Sequence, residues 1–379
     1  ATRVLDFSGR SHAGGPDPYR SALQVLPQAA SSSGVPGSPV PSRHISPTPT
    51  RILDAPDLVD DYYLNLIHWG SRNVLAVALG SSVYLWNASS CTINHLVQLE
   101  GPSDFVTSVN WSPDGRSLAV GCSSSAVRIY DAEALSLTQT LRGHVARVGS
   151  LSWLGDLGLT SGSRDAAILH RDLRQANRDG VVARLEGHTQ EVCGLRWNAD
   201  TQTLASGGNE NYLCLWDARS SAQRAAGAAH APRLVLAQHQ AAVKALAWAP
   251  FSRHVLASGG GTADRSIKIW NASTGACQQS VDTGSQVCAL LWSPHARELC
   301  SSHGFSEHQL VLWRFPSMQR LKELKGHTAR VLHMSVSPDG RTVISAAADE
   351  TLRFWEIFGA APASPRRLSG DFGSMLTLR

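Results

Sequence analysis

Between residues 50 and 358 the chain alternates short apolar runs with polar turns, and the alternation itself repeats. The unit opens on V-x-x-L-x-W. A turn follows, then a short apolar run, an acidic residue, and a second apolar run that closes on an aromatic. Two copies illustrate it: VCALLWSPHARELCSSHGFSEHQLVLW at 287–313 and VLHMSVSPDGRTVISAAADETLRFW at 331–355. Runs of this length bounded by turn residues predict β-strands. The closing aromatic falls at Trp86, Tyr130, Trp216, Trp270, Trp313 and Trp355, with Arg171 in its place in the third copy, at steps of 44, 41, 45, 54, 43 and 42 residues. The opening anchor falls at Trp69, Trp111, Trp153, Trp197, Trp248 and Trp292, with Val336 in the seventh copy. A fixed period fixes the whole architecture, because one unit cannot bury its apolar face without its neighbours.

A Gly-His pair precedes three copies, at Gly143-His144, Gly187-His188 and Gly326-His327. An acid stands six residues before the closing position in five: Asp165, Glu210, Asp264, Glu307 and Asp349. The pattern resembles the WD40 repeat, four strands per blade. It implies an all-β chain: a seven-bladed WD40 β-propeller over 50–358 with disordered tails at 1–49 and 359–379. Within a blade the acid can accept from the imidazole, which can reach a Ser hydroxyl and the Trp indole. The last blade has the full set, His327, Asp349, Ser345 and Trp355. A buried polar network is tolerable when every member is paired, and recurrence once per blade marks these residues as structural rather than catalytic. The seventh copy supplies three strands, so residues 50–58 are expected to add the fourth and cover an open edge.

Composition narrows the function. A formal charge of +4 without a long basic run argues against nucleic acid as the main partner. No stretch approaches the apolar length of a membrane span, and the start lacks the apolar core of a signal peptide. Seven cysteines without C-x-x-C spacing read as reduced thiols in strands, with no metal site, which suits nucleus and cytoplasm. There is no P-loop, nucleophile elbow or unrepeated His–acid pair, so neither an enzyme nor a cofactor is expected. The Pro, Ser and Gly-rich residues 1–49 carry Ser38-Pro39, Ser46-Pro47 and Thr48-Pro49, and Ser364-Pro365 lies in the other tail. Such pairs suit proline-directed kinases.

The repeat also tells which side chains share a rim. The residue before each inner strand lies at its mouth: Tyr63, Phe105, Arg147, Glu191, Ala242, Gln286 and Arg330. The acidic-turn loops bring Asn209, Asn211 and Thr262 to the same face. Asp60 and Asp61 follow the closing strand, and Glu350 lies in the last acidic turn. Topology sets Asp61 and Glu350 at the seam of blades seven and one, where two carboxylates could clamp one guanidinium and apolar neighbours could take an aliphatic side chain.

Six segments resemble one family: RILDAPDLVDDYYLNLIHW (51–69), ARVGSLSW (146–153), QEVCGLRW (190–197), SGGGTADRSIKIW (258–270), GSQVCALLWSPHARELCSSHGF (284–305) and SAAADETLRFW (345–355). They look like the Fizzy and Fizzy-related WD40 co-activators of the anaphase-promoting complex. The resemblance implies a non-enzymatic substrate receptor of that ubiquitin ligase, serving cyclin- and securin-like targets. It implies that Asp61 and Glu350 receive the Arg of a destruction box (R-x-x-L). Asn209, Asn211, Thr262, Gln286 and Arg330 would receive a Lys-Glu-Asn degron. His68 stands where the family usually has Asp, which puts the Lys contact in doubt. Leu378-Arg379 is similar to the family's Ile-Arg ligase-docking tail. LQVLPQ at 23–28 is a degenerate match to a stretch offered to spindle-checkpoint proteins. The ligase-binding box is not intact; Ser42-Arg43-His44-Ile45-Ser46 resembles an internal Arg-Tyr-Ile-Pro stretch instead, and the chain begins at Ala1, so the extreme N-terminus is expected to be missing or the docking different. RILDAP, NVLAVAL and SAAADET favour the Fizzy branch, while SRDAAILHRD, TADRSIKIW and DTGSQVC lean to the Fizzy-related branch of late mitosis and G1. The competing reading is a general WD40 scaffold, for example one holding a histone tail or a signalling complex.

Overall fold

The computed structural model describes residues 43–101, 103–175, 180–217 and 229–359. They form seven sheets, six of four strands and one of five, with no α-helix among them. The inner strands are Ile67–Trp69, Val106–Trp111, Ser150–Leu154, Val192–Asn198, Val243–Trp248, Val287–Trp292 and Val331–Val336. In blades one to six each sheet runs outward from its inner strand in chain order. The third blade gains a two-residue strand, Ala229–His230, parallel to its outer strand Val181–Leu185. Arg51–Asp54 forms the outer strand of blade seven, pairing antiparallel with Thr351–Glu356 from Arg51 opposite Phe354 to Asp54 opposite Thr351. The first strand thus pairs with the last, which removes a free edge and locks the ring.

Two local features bring the blades together. The second strand carries Gly where the next blade's inner strand crosses closest, at Gly121, Gly162, Gly207 and Gly259. A Cβ on Gly207 would lie 2.1 Å from the Val243 carbonyl oxygen, and one on Gly121 2.5 Å from the Val148 carbonyl oxygen. Five inner strands also bulge after their first residue, at Thr107, Cys193, Lys244, Cys288 and Leu332. A bulge re-aims the extra residue and tightens the twist; all five of these are buried.

The core lies between blades. Trp270, Trp313 and Trp355 are fully buried, and truncating one to Ala would cost about 3–5 kcal/mol. At the closure Phe354 packs edge-on against both Trp69 and Trp86, with ring centroids 5.8 and 5.1 Å apart, so the seam of blades seven and one is held by aromatic packing as well as strand pairing. All seven cysteines are free thiols, and five are buried.

Candidate functional site

The repeated His–acid pairs assemble as structural networks. In blade seven the Asp349 carboxylate accepts from His327 Nδ1 at 2.9 Å. It also takes the Thr328 and Thr351 backbone N–H groups and the Thr351 hydroxyl. That fixes the imidazole's proton on Nδ1, so Nε2 accepts from the Ser345 hydroxyl at 2.7 Å. Ser345 Oγ in turn accepts from the Trp355 indole at 2.9 Å. Burial pushes the His327 pKa down; burial works to raise that of Asp349, but the bonds from His327, Thr351 and the Thr328 N–H together hold it below the usual carboxylate range. Blades four and five repeat the set with His188, Glu210, Ser206 and Trp216, and with His239, Asp264, Ser258 and Trp270. His239 follows Gln238 rather than Gly, so the Gly-His pattern misses it. In blade three Arg171 replaces the Trp and supplies its own N–H to Ser161 Oγ at 2.5 Å, one donor standing in for another. Blade six departs: His303, from the second strand, reaches Ser301, while Glu307 lies at the surface beside Lys325.

At the channel mouth the rim side chains form one charged assembly. Arg147 makes a bidentate pair with Glu191, Nε to Oε1 at 2.8 Å and Nη2 to Oε2 at 2.9 Å, and donates from Nη1 to Asp61 Oδ2 at 2.6 Å. Burial works against that guanidinium's charge, yet the bonds to Glu191 and Asp61 raise its pKa above the ordinary value. Its guanidinium lies over Tyr63, whose hydroxyl donates to Asn209 Oδ1 at 2.7 Å. Asn209 Nδ2 donates to Gln190. Across the mouth Arg330 pairs with Asp60 at 2.6 Å and lies over the exposed ring of Phe305. Asn211 has a left-handed backbone, φ 73°, in the loop beside Asn209, and Thr262 is exposed on the blade-five loop. Gln286 is buried under the loop that starts at Gly304, and its Oε1 has no partner among the described residues.

Two placements differ from the sequence reading. Asp61 does not face the seam. The segment after the closing strand turns inward, burying Ala55, Leu58 and Tyr62, and carries Asp61 to the mouth. There Oδ2 is bonded to Arg147 and Oδ1 accepts the Tyr63 N–H at 2.9 Å. The acid beside Glu350 is Asp54: it pairs with Thr351 in register, and the next N–H, of Ala55, donates to the Glu350 carbonyl at 2.7 Å. Both Asp54 and Glu350 are exposed, and Glu350 has a left-handed backbone, φ 58°, that turns it out of the strand. The second difference is His68. It sits at the far end of its inner strand, inside the channel, where Nδ1 accepts the Trp111 N–H at 2.9 Å. Burial, helped by the nearby Arg196, lowers its pKa to about 3, so it is neutral and contributes nothing to the rim. The mouth's acids are instead Asp60, Asp61 and Glu191.

The seam itself holds a groove of about 1020 Å³ between blades seven and one. Leu53, Val59, Val77, Leu79 and Leu352 supply apolar walls, Tyr84 and Ile93 its outer side, and Asp54 and Asp57 its acidic edge. The sequence reading anticipated apolar neighbours there without identifying them. Among the described residues no cluster of three or more His, Cys, Asp or Glu is placed to hold a metal ion. Leu378, Arg379 and the 23–28 stretch lie outside the described residues.

Comparison with known proteins adds identity to this geometry. Residues 53–355 match the family model described as the CDC20/Fizzy WD40 domain. The chain is 49% identical to Cell division cycle 20.1, cofactor of APC complex, from Arabidopsis thaliana, over 100% of this chain and 81% of that protein. It is 47% identical to the anaphase-promoting complex subunit cdc20 of Dictyostelium discoideum, over 94% and 70% of the two chains. Protein FIZZY-RELATED 1 of Arabidopsis thaliana is 48% identical over 88% and 68%, so overall identity does not separate the two branches. Among solved structures, a chain in a crystal structure of the mitotic checkpoint complex superposes with a TM-score of 0.79 at 43% identity, covering 94% of this chain and 99% of that one.

Proposed function

Since the chain belongs to the CDC20/Fizzy family of WD40 proteins, we propose that it is a co-activator of the anaphase-promoting complex that delivers substrates by holding their degrons on its propeller. The carrying observation is the groove at the seam of blades seven and one, apolar along its walls and acidic at its edge. An R-x-x-L peptide needs both features, one for each specified side chain. In this reading the Leu enters between Leu53, Val77, Leu79 and Leu352, and the Arg is held by Asp54 and Glu350. Charge-assisted bonds from two carboxylates suit a planar guanidinium. The channel mouth is the second receptor. Glu191 and Asp61 offer acceptors for a Lys, Arg330 a cation for a Glu, and Asn209, Asn211, Gln286 and Thr262 amide and hydroxyl groups for an Asn.

The protein acts by binding, not catalysis: its His–acid pairs are consumed in blade networks. Three segments support the Fizzy branch, with spindle-checkpoint proteins as further partners, Leu378-Arg379 as a ligase-docking tail, and nucleus and cytoplasm as the location. The test is reconstituted ubiquitination with purified anaphase-promoting complex and a substrate bearing one R-x-x-L box. Adding the chain should stimulate modification, and Asp54→Ala with Glu350→Ala should reduce it at least tenfold while the melting temperature holds. Full stimulation by that double variant would refute the seam assignment, and no stimulation by the unaltered chain would refute the co-activator role.

A further inference from the structure

The interior of the channel, below the mouth, is lined by hydrogen-bond donors and cations with no acid among them. A cavity of about 50 Å³ there is bordered by Lys244, Arg196, His68 and His333. Lys244 reaches it from the bulge of the blade-five inner strand. Its ammonium donates to the Leu332 carbonyl at 2.9 Å, stands 3.4 Å from His333 Nδ1, and lies under the ring of Tyr62. The Tyr62 hydroxyl in turn reaches the carbonyls of Ala242 and Val287.

The proton positions of the two imidazoles follow from their partners. An ammonium only donates, so His333 Nδ1 accepts and the proton sits on Nε2. That Nε2–H is buried without a partner among the described residues, and His333 is 4% exposed. His68 Nδ1 accepts the Trp111 N–H, so its Nε2 also carries the proton. Arg196 lines the same channel and is only partly buried, and its guanidinium has no ion pair or side-chain hydrogen bond among the described residues. Burial lowers its pKa, as it lowers that of Lys244 to about 8. Two cations bordering one small cavity disfavour each other's charge unless something of opposite charge accompanies them. Four donor-bearing residues border one cavity, two of them cationic, which is the complement of an anion.

We propose that the propeller channel binds one small inorganic anion, between chloride and phosphate in size, held by Lys244, Arg196 and the Nε2–H groups of His68 and His333. About 10–15 Å³ of such volume suffices for one water, so the cavity takes a halide or a single tetrahedral oxyanion and excludes larger organic anions. The site uses none of the seam or mouth acids as ligands.

The test is a melting series on the full chain at constant ionic strength, with chloride, bromide or phosphate replacing gluconate, which is too large for the cavity. A small anion should raise the melting temperature saturably, by about 2–4 °C at a tenfold excess over its half-saturating concentration. The rise should vanish in Arg196→Met and in Lys244→Met. Arg196→Met in gluconate should melt no lower than the unaltered chain, because it removes an unaccompanied charge. An unsaturable response, or one equal in the variants, would mean general salt effects and overturn the proposal. Should either variant not fold, crystals of the unaltered chain grown in bromide decide: an anomalous peak beside Lys244 and Arg196 supports the site, and a channel without one refutes it.

Discussion

The Arg147 triad at the channel mouth allows a worked prediction. Replacing Arg147 with Met keeps most of the side-chain volume and removes the cation shared by Glu191 and Asp61. The Arg147, Glu191 and Asp61 side chains are 15%, 8% and 25% exposed, so the assembly is mostly but not wholly out of water. Breaking a buried pair by removing one partner costs about 3–5 kcal/mol, because the other charge is left uncompensated. The partial exposure of Asp61 relieves some of that, which leaves about 2–4 kcal/mol. At about 2 °C per kcal/mol for a domain of this size, the melting temperature should fall by about 4–8 °C. Differential scanning calorimetry, with a guanidinium titration where unfolding reverses, measures it. Adding Glu191→Gln and Asp61→Asn to Arg147→Met should restore more than half of the loss, since amides need no counter-ion. A single variant within 1 °C of the parent, on the scale of about 2 °C per kcal/mol, would refute the reasoning, as would a triple variant less stable than the single one.

Two further outcomes follow from the blade networks and the buried imidazoles. Ser345→Ala removes the group that both His327 Nε2 and the Trp355 indole use, leaving two buried polar atoms unpaired, and should cost about 2–4 kcal/mol in a denaturation experiment; a cost below about 0.5 kcal/mol would contradict the network. Burial holds His303 and His170 neutral down to about pH 4 and His68 down to about pH 3. In the unfolded chain they protonate near pH 6.5, so the unfolded state binds more protons below that pH and stability falls as pH drops from about 6.5 toward 4. Each contributes up to about 1.4 kcal/mol per pH unit, and a melting temperature flat over that range would contradict it.

The ring, its blade count and its closure were legible because the repeat is a constraint on the whole chain. The anchors recur whether or not local propensity is strong, so even the third copy, with Arg171 for its aromatic, is in register. The rim was legible for the same reason: each inner strand begins at the same height, which puts Arg147, Glu191, Gln286 and Arg330 around one opening. What the repeat did not reach was the connecting segment 55–66, which belongs to no strand pattern. Its path decides that Asp61 turns in toward Arg147 and that Asp54, inside the closing strand, stands beside Glu350. His68 was misplaced by a related cause. Its position before an anchor Trp locates it at the lower end of an inner strand, which the period shows, whereas the family resemblance implies the upper face. The cation-lined channel was hidden because Lys244, Arg196 and His333 are far apart in sequence and meet only through bulges and ring closure.

The central claim is that one degron guanidinium is held by Asp54 and Glu350 at the seam. A double-mutant cycle measures it directly: an R-x-x-L peptide and its Arg→citrulline counterpart, each titrated by calorimetry into the chain and into Asp54→Asn with Glu350→Gln. The account predicts a coupling of about 1.5–3 kcal/mol, the range for hydrogen bonds to charged groups. Additive losses, with coupling below about 0.3 kcal/mol, would place the guanidinium elsewhere and contradict it.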